Sequence, residues 1–197
     1  MRSKEENLAY GLAEQEDRRT VYWNRFDPFV DLRMKWRASM MSHLFHILPG
    51  QRILEIGAGS GRFTRALIAA TRGECKITTV VFSIKYLDEI KETLNNNNLD
   101  TVCLDSFPGT LQGEKFDCIV ANHMLGDHIR NEFLCAVKQF IRPGGSFLLF
   151  EPNPWNYYHY VRKLFSCLKP RAWRRPPITI SMNRLQMFSV LSEIGYT

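Results

Sequence analysis

Glu55-Ile-Gly57-Ala58-Gly59-Ser60-Gly61-Arg62 concentrates the chemistry of this chain. A short apolar run, Ile53 to Ile56, leads into it, and a helix-compatible run, Phe63 to Thr71, follows. Glycines let a backbone turn sharply and approach a ligand that a Cβ would exclude. The first turn of a following helix offers free N–H groups to negative charge. The spacing then narrows the ligand. A dinucleotide-binding turn has a third glycine where Arg62 stands, and a P-loop ends in G-K-[ST]; neither pattern is present. Glu55, two residues before the first glycine, repels a pyrophosphate but attracts an ammonium group. The stretch therefore selects a compact ligand carrying both an amine and a carboxylate. His123 and His128, with His159 third, are the candidate general bases. Cysteines stand at 75, 103, 118, 135 and 167, with no C-x-x-C pair and no His/Cys metal spacing, so no metal site is expected.

The elements that must position these residues alternate in type. Lys76 to Phe82 is β-branched and predicts a second strand, with Ser83 as the N-cap of a helix running to Leu94. Asn95 to Asn98 stops that helix, because Asn favours turns. Short strands are expected at Thr101–Leu104 and Phe116–Ala121. A helix over Asn131–Ile141 is halted by Arg142-Pro143-Gly144-Gly145, and a fifth strand covers Ser146–Phe150. Strands alternating with helices imply an α/β fold with a doubly wound, mostly parallel sheet. Ligands in such sheets bind at the carboxyl ends of strands, where Gly57 to Gly61, Ser83, Asp105, Asn122, His123 and Glu151 all fall. Residues 1–20 are charged and read as a solvated helix or a mobile arm. Apolar residues recur at helical spacing from Leu32 to Leu48: Met34, Trp36, Met40, Met41, Leu44, Ile47 and Leu48.

Glu55-Ile-Gly57-Ala-Gly59-Ser-Gly61 resembles the first motif of class I S-adenosylmethionine-dependent methyltransferases. Phe116-Asp117, Asn122-His123-Met-Leu125 and Arg142-Pro-Gly-Gly145 resemble the later motifs, so the likeness runs over about residues 50 to 151. It implies a Rossmann-like methyltransferase fold, with residues 1–49 as an N-terminal helical cap and 50–197 as the cofactor-binding domain. It implies S-adenosylmethionine as cofactor, with Glu55, Gly57, Ala58, Gly59 and Gly61 around its methionyl part. Asp105 and the Ser106 backbone would face the adenine, and Asn122 would line the methionyl end. In the family an acidic residue ends the second strand and holds the ribose hydroxyls; Val81 stands there in this chain, with Ser83 as a partial substitute. The family sheet continues into two further strands that this sequence lacks, so the chain resembles a fragment or a shortened form.

Composition sets bounds on the rest. The chain has 197 residues, 45% of them hydrophobic and 23% charged, which suits a domain with a sizeable core. No apolar run approaches the ~20 residues of a membrane-spanning helix. The N-terminus is too polar for a secretory signal, and the unpaired cysteines suit a reducing, cytoplasmic setting. Net charge is +6, and six Lys or Arg fall within 155–175, interleaved with aromatic residues. That segment suits an anionic membrane surface, or else RNA through stacking and phosphate contacts. The reading is methyl transfer to a small-molecule or lipid-like acceptor. Its alternatives are a non-catalytic, methyltransferase-like binding module with a protein partner and, less favoured, an RNA-binding methyltransferase. DNA is not indicated, because the Asn/Asp-Pro-Pro-Tyr signature of nucleic-acid amino methylation is missing.

Overall fold

A computed structural model describes residues 3–26, 29–94, 96–105, 107–122, 124 and 130–150. Two helices, α1 (Lys4–Phe26) and α2 (Val30–Leu44), precede the sheet. Then come β1 (Arg52–Ile56), α3 (Arg62–Ala70), β2 (Lys76–Val81), α4 (Ile84–Thr93), β3 (Leu99–Cys103), β4 (Phe116–Asn122), α5 (Arg130–Lys138) and β5 (Ile141–Phe150). The described strands form one sheet in the order β3-β2-β1-β4-β5, and every pairing is parallel. Strand order reverses between β1 and β4, which opens a crevice at their carboxyl ends. The register sets Glu55 opposite Val120 and Ile56 opposite Ala121, so the chain leaves β1 and β4 side by side.

Both faces of the sheet are covered, as its near-continuous apolar strands require. On one face Leu54, Ile56, Ile119 and Ala121 pack with Leu8, Ala9 and Leu12 of α1 and with Phe133, Leu134 and Val137 of α5. On the other, Ile53, Ile77, Cys118 and Val120 pack with Val30, Met34, Ala38 and Met41 of α2 and with Phe63 and Leu67 of α3. Tyr86 and Ile90 of α4 close a smaller cluster over Val81 and Ala58.

Three expectations change. Residues 4–26 are a helix docked on the core, not a solvated arm. Its buried residues 8, 9, 12, 16, 19 and 20 fall on one face at helical spacing. The second helix is earlier and shorter than its apolar pattern suggested. Met34 and Met41 are buried, but Trp36, Leu44 and Leu48 are at least 60% exposed, because 38 and 41 rather than 36 and 44 continue the stripe from Met34. Finally, Arg142 to Gly145 are taken into β5 rather than halting the chain before it. The register jumps from Phe116↔Ile141 to Cys118↔Ser146, a bulge opposite Asp117. Asp117 accepts from Arg142 Nη1 (2.8 Å) and from the backbone N–H of Arg52 (2.8 Å). Gly144 takes φ +77°, and at Gly145 an added Cβ would lie 2.9 Å from the Asp117 carbonyl. Residues 151–197, which include the basic-aromatic segment, lie outside the described residues.

Candidate active site

The crevice between β1 and β4 is built by the turn after β1. Gly57 N–H (2.9 Å) and Ala58 N–H (3.1 Å) both donate to the Val80 carbonyl, which ties the turn to β2. Gly61 begins α3 from a left-handed conformation (φ +72°), a conformation that favours glycine. Arg62, in the place of the third dinucleotide glycine, reaches outward instead. Its Nε donates to Asn24 Oδ1 (2.9 Å) and its Nη1 to Asp31 Oδ1 (2.7 Å), joining the turn to α1 and α2.

Glu55 shares a sheet face with Ile53 and points toward α3. It is 1% exposed. Oε2 accepts from Thr64 Oγ1 at 2.7 Å, with Thr79 Oγ1 more distant at 3.5 Å, while Oε1 has no hydrogen-bond partner among the described residues. Burial pushes the Glu55 carboxyl up to about 7, against the downward pull of the Thr64 hydrogen bond and the Arg19 charge. Asn122, 2% exposed at the end of β4, accepts from Arg37 Nη1 at 3.2 Å. A cavity here is lined by Glu55, Gly57, Ser60, Phe63 and Asn122 from the domain and by Arg19, Thr20 and Asn24 from α1.

The contribution of α1 is not foreshadowed by the glycine motif. Arg19 Nη2 donates to the Gly57 carbonyl and Nη1 to the Asn122 carbonyl, one on each side of the crevice. Glu16, 0% exposed, accepts from Gly59 N–H through Oε1 (3.0 Å) and from Phe82 N–H through Oε2 (3.0 Å). Burial raises its pKa, against the Arg19 charge and the two N–H bonds. Val81, which the resemblance sets where the family holds the ribose, is fully buried in the α4 cluster, and the Glu16 carboxylate from α1 accepts from the backbone of the next residue, Phe82. The available signal was the helical spacing of Leu8, Leu12, Glu16, Arg19 and Thr20, an apolar stripe that turns polar where it crosses the sheet edge.

The other expected residues are placed less completely. Ser83 holds the residue position before α4 in an extended conformation, but its side chain makes no capping bond. Asp105 is exposed just past the end of β3, and Ala58 is buried beside Val81. His123, His128 and Ser106 lie outside the described residues. Among the described residues no group of three or more His, Cys, Asp or Glu could hold a metal ion.

Chemically, one cavity is lined by Gly57 and Asn122, whose carbonyls Arg19 takes, and by Glu55, whose Oε1 has no partner among the described residues, a set that suits a cation. Beside it stand two N–H groups, now taken by Glu16. Residues 53–145 match the family model described as a methyltransferase domain. The chain is 27% identical over 152 residues to the highly reducing polyketide synthase cm3B of Cordyceps militaris, covering 64% of this chain and 6% of that protein. It is 26% identical over 155 residues to the demethylmenaquinone methyltransferase of Staphylococcus haemolyticus, covering 72% of this chain and 63% of that one. The chain thus spans less than two thirds of the length of these relatives. Its fold is like that of the plantazolicin methyltransferase BpumL, solved in complex with SAH. The TM-score is 0.67 at 15% identity, over 97% of this chain and 74% of that one.

Proposed function

We propose that this chain, whose residues 53–145 match a methyltransferase domain, is a Rossmann-like, S-adenosylmethionine-dependent methyltransferase that transfers a methyl group to a small-molecule or lipid-like acceptor. The observation that carries this is the Glu55 carboxylate, buried with one oxygen unpartnered beside the Gly57 and Asn122 carbonyls. That donor set fits the ammonium of a methionyl group. When bound, S-adenosylmethionine supplies a methyl carbon made electrophilic by its sulfonium.

This chain's residues then bind, orient and exclude water. Glu55, with the Gly57 and Asn122 carbonyls, holds the ammonium. The Gly57-Ala58-Gly59-Ser60-Gly61 turn is held close to the chain's own side chains: a Cβ at Gly57 would collide with Met124 and one at Gly59 with Thr20. Asp105 accepts from the adenine amine, with Ser106 beside it, and Ser83 supplies a hydroxyl near the ribose. His123, directly after β4, is the preferred base, with His128 second. The similarity to a demethylmenaquinone methyltransferase supports a lipid-like acceptor. The basic-aromatic segment 155–175 would bring the protein to an anionic membrane where such acceptors partition, in a cytoplasmic setting.

The test is calorimetric titration with S-adenosylhomocysteine, followed by transfer of labelled methyl into lipid and water-soluble extracts. Binding that Glu55→Gln weakens by roughly tenfold or more, with label entering the lipid fraction, is the expected result. No binding by the folded protein at millimolar ligand refutes the cofactor reading, and label only in the water-soluble fraction refutes the lipid-like acceptor.

A further inference from the structure

Most of the backbone groups suited to holding the cofactor already meet partners from within the chain. Arg19 places a cation on the Gly57 and Asn122 carbonyls and beside the Glu55 carboxylate. Glu16, one helical turn earlier, places an anion on the Gly59 and Phe82 N–H groups. Thr20 lies against Gly59, where an added Cβ would run into its hydroxyl. Three residues on one face of α1 therefore cover the glycine turn, the end of β4 and the end of β2 together. Arg19 donates to the two carbonyls that an ammonium would use, so an ammonium-bearing ligand and Arg19 compete for the same acceptors.

We infer that the 16–24 end of α1 is a built-in competitor for the cofactor cradle, with Arg19 standing in for the ammonium. This rests on the cofactor reading above. The domain then has a closed state, in which α1 occupies the cradle, and an open state that binds cofactor. The apparent affinity is the intrinsic affinity reduced by the fraction of open molecules.

The contacts divide along the helix in a way that suits this. The first half of α1 is anchored by buried Leu8, Ala9 and Leu12. Among the described side chains, the second half is held by polar contacts. Besides Glu16 and Arg19, Asp17 accepts from Tyr86 Oη (2.6 Å) and pairs with Lys85, and Asn24 accepts from Arg62. These polar contacts can be exchanged for ligand and water, unlike the apolar anchor of the first half.

The experiment uses the full chain. S-adenosylhomocysteine is titrated calorimetrically into wild type and Arg19→Ala, each first checked for a cooperative melt. Hydrogen exchange of residues 16–24 is followed in wild type with and without saturating ligand. We expect Arg19→Ala to bind roughly tenfold tighter or more, the scale of one charge-assisted hydrogen bond no longer competing. We also expect ligand to accelerate exchange over 16–24. Equal or weaker binding by a folded Arg19→Ala, or slowed exchange over 16–24, overturns the inference and makes Arg19 and Glu16 ligands of the cofactor instead. If Arg19→Ala does not fold, the exchange measurement on wild type decides alone. If neither folded protein binds the ligand, the cofactor reading itself falls and this inference with it.

Discussion

Replacing Glu55 by Gln isolates the cost of holding a carboxylate in the dry crevice. In the unfolded chain this carboxyl titrates near 4.5, and in the folded protein near 7, because burial outweighs the Thr64 hydrogen bond and the Arg19 charge. Between those values the native state holds a proton that the unfolded state has released. A raised carboxyl therefore contributes stability that is present below pH 4.5 and is lost as pH rises through 7. The loss across that window is on the order of 3 kcal/mol, from 1.36 kcal/mol for each unit between 4.5 and 7. Gln keeps the shape and an oxygen for Thr64 but does not ionise. Urea unfolding of wild type and Glu55→Gln, without cofactor, at half-unit steps from pH 4.5 to 8.5, gives the comparison. The raised pKa of Glu16 acts in the same direction in both proteins, so the readout is the difference between them. That difference should be smallest at the acid end and grow in favour of Glu55→Gln up to about pH 7, then level off. A constant difference across the range would refute the argument, since it would mean that Glu55 titrates alike in both states.

Phe107 is fully buried and meets the rings of Phe82, Phe133 and Phe140 at 5.9, 6.1 and 5.9 Å. Phe107→Ala should cost about 3–5 kcal/mol in denaturant unfolding, and a cost below about 1 kcal/mol would mean that the cluster is not a core. Gly61→Ala should lose about 1–3 kcal/mol, because it adds strain at φ +72° and sets a Cβ 2.8 Å from Ile90 Cγ1. An unchanged melting temperature would show that the turn relaxes. Co-sedimentation with anionic vesicles at low salt should capture the protein, at about 1 kcal/mol per basic residue near the surface, and reversal of Arg171, Arg174 and Arg175 to Glu should release it. No capture at low salt would leave the membrane proposal without support.

The sheet, its parallel sense and the glycine turn were legible because each depends on neighbours in sequence. Residues 77–81 are β-branched throughout, Phe116–Asn122 carries the apolar run 118–121, and the glycines between β1 and α3 meet a conformational demand that Gly61 shows at φ +72°. Glu55 also stood out, since a carboxylate two residues before the first glycine has few structural uses. Other features needed the packed chain. Ser83 reached its expected position without making its expected hydrogen bond, because side-chain direction is set by packing as well as by local order. The bulge at the start of β5 followed from Asp117, which gathers Arg142 and the Arg52 backbone from two other strands. Above all, Glu16 and Arg19 read in sequence as two charges among many on a polar helix. They became site residues when α1 docked and brought them to Gly57, Gly59, Phe82 and Asn122. Whether a charge is solvated or buried depends on partners 38 to 103 residues away. Hydrophobic spacing could place this helix against the core, but only the three-dimensional arrangement decided what its polar residues would meet there.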